Sequence, residues 1–349
     1  MSDKVAGCRN ARKMPAVRRK PIGGSGSDLI TERVARAGAT LPLVFQPAAD
    51  GLDLAEWAVE NLPLLEKRLY RHGAVLFRGF RVRDISDFNR AISAVSGDTV
   101  KYQEHTSPRS HVEGGIYTST EYPAEQTIFL HNENSYQQAW PMKFFLFCER
   151  PALSGGATPL ADCRRVFENI APEIRDLCIR KKWMLIRNFG DGFGLTWQDA
   201  FYTQEKPAVE EYCRRNRIDF EWKGGDRLRT RQLRPFVARH PRTGETVWFN
   251  HAAFFHTSAL EKEVKDVLLE EFGEEDLPYS TCFGDGSPIE AAVVEEILEA
   301  YRRESVALPW EKGDVMLVDN MLVAHGREPF TGPRRVLVGM TELRGWNDI

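Results

Sequence analysis

The sequence predicts a mainly β fold with flanking helices, and two observations carry that prediction. Short apolar stretches recur at residues 73–80, 142–148, 183–189, 246–251, 313–320 and 334–338, each bounded by glycine-rich or polar turns. They have the length and composition of strands rather than helices. Most of them follow one another without regular helices between, so the alternation that builds a doubly wound parallel sheet is missing.

The composition of the 349-residue chain is ordinary for a globular protein, 42% hydrophobic and 28% charged, with ample length for a large core. A net charge of −3 gives no global basic field for nucleic acid. No apolar run reaches the length of a membrane span, and the basic N-terminus lacks the apolar core of a secretory signal. The cysteines at 8, 148, 163, 178, 213 and 282 are scattered and form no Cys-x-x-Cys, which fits reduced thiols in a cytoplasmic protein. Residues 1–28 are basic and rich in glycine and serine, and read as a disordered tail before a single domain over 29–349.

Within that domain, Leu54, Trp57, Ala58, Leu65 and Leu69 have helical spacing from Asp53 to Arg71, interrupted at Pro63. Residues 73–80 read as a buried strand entered by a glycine turn. Ile85, Phe88, Ile92 and Val95 place a second helix between Asp84 and Ser96. The polar stretch 101–115, with His105, Arg109 and His111, and the segment 118–123 that follows read as a loop before the His131 strand that could wall a site, although the six-residue spacing of the two histidines does not suit a ligand pair. Residues 154–162 make a turn into a short strand, and 164–181 read as helical with a break near Pro172. Residues 196–240 are mixed and strongly charged. Ser258 with Glu261 predicts a capping box before a helix to Phe272, and Ser287, Pro288 and Glu290 open another that ends near Arg303. Residues 325–330 read as a loop.

The chemistry centres on His131-Asn132-Glu133. On a strand, residues i and i+2 share a face, so an imidazole and a carboxylate can close on one ion while Asn132 points away. A distant histidine would complete a 2-His-1-carboxylate set, which leaves positions open and suits non-haem Fe(II).

His131, Glu133, a distal His325 and a following Arg335 resemble the iron and 2-oxoglutarate signature of the taurine dioxygenase and clavaminate synthase superfamily. The resemblance extends over residues 40–345. It includes Thr158 in its Gly-Gly-x-Thr turn, the strand at 73–80, and Gly313-Asp314 with Asp319-Asn320 ahead of the distal histidine. It implies a double-stranded β-helix, or jelly roll, and Fe(II)/2-oxoglutarate-dependent oxygenation of an unactivated C–H bond, with O₂ as the other cosubstrate and succinate as coproduct. It also implies His131, Glu133 and His325 as iron ligands. Arg335 is then the clamp on the far carboxylate of 2-oxoglutarate, with Arg334 as the alternative, and Thr158 adds a hydroxyl.

Members acting on sulfonates carry a second arginine four residues after the clamp, and the matching position here is Gly339. A taurine-like substrate is therefore not expected. Halogenating members replace the carboxylate ligand with a small residue, so Glu133 favours hydroxylation or desaturation. The stretches around 118–123, 131–136, 187–190 and 197–198 look most like a clavaminate-synthase-like branch. That implies an amino acid, free or tethered to a carrier protein, as substrate. Arg187, Trp248, Asn250 and His251 are candidate pocket residues. The rival readings are a Zn²⁺-dependent hydrolase on the same triad and a non-catalytic metal-binding jelly roll. The oligomeric state is left open.

Overall fold

The structure, a computed structural model, describes residues 29–349 apart from 37, 101–103, 105–109, 120–121, 191–193 and 261. The expected basic tail, His105, Arg109, part of the 118–123 stretch, the centre of the glycine-rich turn at 190–194 and Glu261 of the capping box lie outside the described residues.

The fold is mostly β with several helices. An eight-stranded sheet runs in the order Ile30–Val34, Leu43–Pro47, Ala74–Phe77, Val315–Asp319, Ala139–Arg150, Arg335–Gly345, Ile116–Thr118, His111–Glu113. One pair in it, Leu43–Pro47 with Ala74–Phe77, is parallel. A three-stranded sheet of Ile128–His131, Val323–Arg327 and Leu160–Asp162 carries two of the site histidines. A four-stranded antiparallel sheet joins Ile218–Lys223, Arg227–Arg234, Trp183–Phe189 and Tyr279–Phe283.

The large sheet is buried on both faces. Phe145 and Phe147 of its central strand, with Leu317 and Leu337 of its neighbours, pack against α1 (Leu54–His72) and α2 (Ile85–Ser96). Phe144, Leu146 and Cys148, with Met316, Val318, Val336 and Val338, face the other way into the larger core. Alternate residues of one strand therefore serve two cores.

Both helices start where the sequence predicts. Asp53 accepts the Glu56 amide at 3.1 Å and Asp84 accepts the Asp87 amide at 2.9 Å. The interruption in α1 falls at Asn61, which leaves helical geometry (φ −119°, ψ 17°) two residues before Pro63. The 164–181 stretch is two helices, Cys163–Asn169 and Pro172–Lys181, with Pro172 in the first turn of the second. The helix expected after Ser287 begins later, at Ala291, because Ser287 bonds to Asp285 instead of capping. Ser258 lies in a single 3₁₀ turn, Thr257–Ala259, ahead of the helix Lys262–Phe272. No described helix is long and apolar enough to cross a membrane. The five described cysteines are free.

Candidate active site

His325 does not lie in a loop. It sits in the strand Val323–Arg327, directly opposite His131 in the antiparallel pair, with ring centroids 4.6 Å apart. The strands can close this far because residue 326 is glycine: a Cβ there would lie 2.5 Å from the Ile128 carbonyl oxygen. His131 Nδ1 donates to the Phe129 carbonyl at 2.8 Å, which leaves Nε2 as the lone-pair nitrogen. The Phe144 ring centroid lies 4.5 Å from that of His325.

Glu133 reaches the histidines by a different route from the one the strand pattern predicts. His131 is the last residue of its strand, and Glu133 lies in the following turn, where Asn134 takes a positive φ of 57°. The turn is held by Asn320. The Glu133 amide donates to Asn320 Oδ1 at 2.7 Å, and Asn320 Nδ2 donates to the Glu133 and Pro141 carbonyls, each at 2.8 Å. Asn132 does point away from the histidines, and its Nδ2 donates to the Asn320 carbonyl at 2.7 Å. Glu133 Oε2 then lies 3.7 Å from His325 Nε2. One donor atom from each of His131, Glu133 and His325 lies within 4.8 Å of the others, the one such His/Cys/Asp/Glu group among the described residues. Two imidazole nitrogens and one carboxylate oxygen at these separations fit a divalent non-haem iron.

Beside the triad is a cavity of about 460 Å³, its open mouth included, lined among others by Ser119, Leu146, Thr158, Arg334, Val336 and Val338. Here the structure separates the two candidate clamp arginines. Arg335 lies on the outer side of its strand, 44% exposed, in an ion pair with Glu149 at 2.6 Å. Arg334 turns inward. Its Nε donates to the Gly156 carbonyl at 2.9 Å and its Nη1 to Ser119 Oγ at 3.4 Å. No carboxylate pairs with it among the described residues. Burial, and after it the Arg327 charge, pull its pKa down to about 10, so it remains a cation at neutral pH. Gly156 (φ 71°) makes room for it, since a Cβ there would lie 3.0 Å from Arg334 Cδ. Thr158 lines the same cavity, and its hydroxyl accepts Trp310 Nε1–H at 3.1 Å, which leaves the hydroxyl proton for another acceptor. Gly339 faces α2, where a Cβ would lie 2.6 Å from Ile92 Cδ1.

The four candidate substrate residues separate. His251 packs beside the metal ligands, 5.4 Å from the His131 ring, with Nδ1 bonded to Ser135 Oγ at 2.7 Å. Burial, and next His131, hold its pKa well below the usual imidazole value. Trp248 is buried against Phe236 in the core, and Asn250 ties the Phe236 carbonyl to the Ala252 amide. Arg187 is buried in an ion pair with Glu104, whose other oxygen accepts the Tyr212 hydroxyl at 2.8 Å. Stacked rings of Phe255 and Tyr279 lie between His251 and Arg187.

A family model described as taurine catabolism dioxygenase TauD, TfdA family, matches residues 39–341. This chain belongs to the TauD/TfdA family. It is an Fe(II)/2-oxoglutarate-dependent dioxygenase, as that family's members are. Family membership sets aside both the hydrolase and the non-catalytic reading. Among relatives of the chain, the dapdiamide synthesis protein DdaC of Enterobacter agglomerans is 41% identical over 278 residues, covering 80% of this chain and 84% of that protein. A clavaminate synthase-like protein of Arabidopsis thaliana is 31% identical over 287 residues, covering 79% and 83%. Solved structures share the fold at low identity. PvcB from Pseudomonas aeruginosa matches with a TM-score of 0.54 at 14% identity, covering 89% of this chain and 90% of that one. A taurine dioxygenase from Burkholderia xenovorans matches with a TM-score of 0.54 at 14% identity, covering 92% and 93%.

Sequence reasoning preferred Arg335 and kept Arg334, which lines the cavity, as the alternative, and it did not single out Ser119 or Arg327. Arg327 is buried two residues after His325 and donates to the carbonyls of Tyr122, Pro123 and Gln126, fixing the approach to the His131 strand. The even spacing of Arg334, Val336 and Val338 was the available signal, but the intervening Leu337 is as apolar as they are.

Proposed function

We propose that His131, Glu133 and His325 hold Fe(II), that Arg334 with Thr158 and Ser119 binds the far carboxylate of 2-oxoglutarate, and that the enzyme hydroxylates or desaturates an amino-acid-like substrate, free or carried on a protein arm. The observation that carries this reading is Arg334. It is a half-buried cation without a carboxylate partner among the described residues, in the cavity that also holds the triad. A buried charge is costly until a counter-ion arrives, and a planar guanidinium is matched by a carboxylate.

The protein's own work is positional. His131 presents Nε2 because Nδ1 is committed to the Phe129 carbonyl, and Glu133 supplies its oxygen from a braced turn. Arg334 and Thr158 fix the cosubstrate by the end remote from the metal, while Leu146, Val336 and Val338 line its path with apolar surface that excludes water. Iron held by His131, Glu133 and His325 would supply, with O₂ and 2-oxoglutarate, the oxidising chemistry, and succinate and CO₂ would be the coproducts. The Glu133 carboxylate would fill the place at the metal that a halide would otherwise take. His251, at the edge of the triad, is the one sequence-predicted substrate candidate that remains beside the reacting centre.

The amino-acid-like substrate class is supported by the 41% identity to a protein named for dapdiamide synthesis. We read the arrangement of sheets as a double-stranded β-helix, and residues 29–349 as one domain, because the strand Ala139–Arg150 contributes to both large cores. Succinate formation and product mass, followed across free and carrier-bound amino acids, test the proposal. A gain of one oxygen or a loss of two hydrogens supports it. Succinate release that no amino-acid-type substrate stimulates would exclude the substrate class.

A further inference from the structure

We propose that Asn320 is a positioning residue for the metal centre, and that the reciprocal clasp it makes with Asn132 and Glu133 sets where the carboxylate ligand stands relative to His325. The inference rests on the ligand assignment above and goes beyond it, because Asn320 touches neither metal nor cosubstrate.

Asn320 is fully buried and satisfied on every side. Its side chain accepts the Glu133 amide and donates to the Glu133 carbonyl, so one side-chain amide grips both backbone polar groups of the residue that carries the carboxylate. Its Nδ2 also reaches Pro141, and its backbone amide donates to the Met142 carbonyl at 2.8 Å, which ties the grip to the central strand of the large sheet. Asn132 closes the loop by donating to the Asn320 carbonyl. Glu133 needs this support because it stands beyond the end of its strand, beside a residue of positive φ, where no ladder bond orients it.

The same segment also aims His325. Asp319 Oδ1 accepts the Met321 and Leu322 amides at 3.0 and 3.1 Å, and its Oδ2 accepts His240 Nε2–H at 3.0 Å. Residues 319–322 are thereby one rigid turn. His325 leaves it on one side, and Glu133 is held to it on the other. Two candidate ligands from distant parts of the sequence are referenced to a single turn. Groups that orient metal ligands from behind typically contribute about 10–100-fold to metal affinity.

The test is anaerobic titration of the full chain with Fe(II), and separately with Co(II), read by the bound fraction and the Co(II) absorption spectrum. Asn320→Ala should weaken binding by about 10–100-fold and shift the Co(II) spectrum. Asn132→Ala removes the bond to the Asn320 carbonyl together with longer ones to the Val323 carbonyl and Cys163 Sγ, leaves the two Asn320–Glu133 bonds, and should weaken binding in the same direction by less. Asn61→Ala, which deletes a buried amide bonded to the Trp57 carbonyl at the kink of α1, supplies the control. It should lower the melting temperature without changing metal affinity or the Co(II) spectrum. If Asn320→Ala does not fold, folded Asn132→Ala decides. Wild-type affinity and spectrum in whichever variant folds would overturn the positioning role. His325→Ala is run alongside: if it retains full metal binding, the ligand assignment fails, a result distinct from failure of the clasp.

Discussion

His131 and His325 face each other across an antiparallel strand pair whose approach depends on Gly326, whereas Glu133 joins them from a turn. Two ligands are thus set by strand register and one by a clasp. His131→Ala, Glu133→Ala and His325→Ala should each abolish tight Fe(II) binding and 2-oxoglutarate turnover while circular dichroism stays native. Retained Fe(II) binding in any two of the three would refute the assignment. Since the metal binds the folded form, Fe(II) should raise the melting temperature of the wild type and of none of these variants.

Arg334→Ala should raise the 2-oxoglutarate requirement by roughly thirty- to several-thousand-fold, equivalent to about 2–5 kcal/mol for a buried charge pair that loses one partner. Iron binding should survive. Arg335→Ala should have little effect, because an exposed ion pair such as that with Glu149 contributes about 0–1 kcal/mol. A large effect at Arg335 and a small one at Arg334, measured by 2-oxoglutarate titration, would reverse the assignment.

Gly156→Ala tests the space beside the clamp. A non-glycine residue at φ 71° costs on the order of 1 kcal/mol, and its Cβ would press on Arg334 and Phe330. The expected outcome is a weaker 2-oxoglutarate affinity and a lowered melting temperature, with metal affinity unchanged. An unaltered cosubstrate affinity would mean that Arg334 is not held by this turn.

With Arg334 as the clamp, the position four residues on is Val338, which lines the cavity. No arginine stands there for a sulfonate. Taurine should therefore release no sulfite, and excess chloride or bromide should yield no halogenated product. Efficient sulfite release in a coupled assay would contradict this.

The sequence made some features legible for local reasons. Asp53, Asp84 and Pro172 mark helix starts by short-range hydrogen bonding and fixed φ, which need no tertiary context. His131, Glu133 and His325, which the structure brings together, were legible because few residue types can hold iron. The phase of the strand after Pro333 was not, because apolar residues occupy both of its faces and alternation carries no information there. The stretch Arg227–Arg234 was left unassigned although its charges alternate with Leu228, Thr230 and Gln232. It faces water on one side and the core on the other, and its charge obscured a period of two. His325 read as a loop residue because Gly326 and Pro329 resemble turn signals. The glycine instead marks close strand contact.

Gly339 sits where Ile92 of α2 has already taken the space. The helical layer therefore constrains which substrates this enzyme can come to accept. An arginine placed at 339 would meet the Ile92 side chain on the helical side of the sheet, away from the cavity. Routes to a new specificity along this strand run through 336 and 338, so a mutational library confined to those inward positions samples the reachable chemistry, while one built on the odd positions mostly samples unfolding.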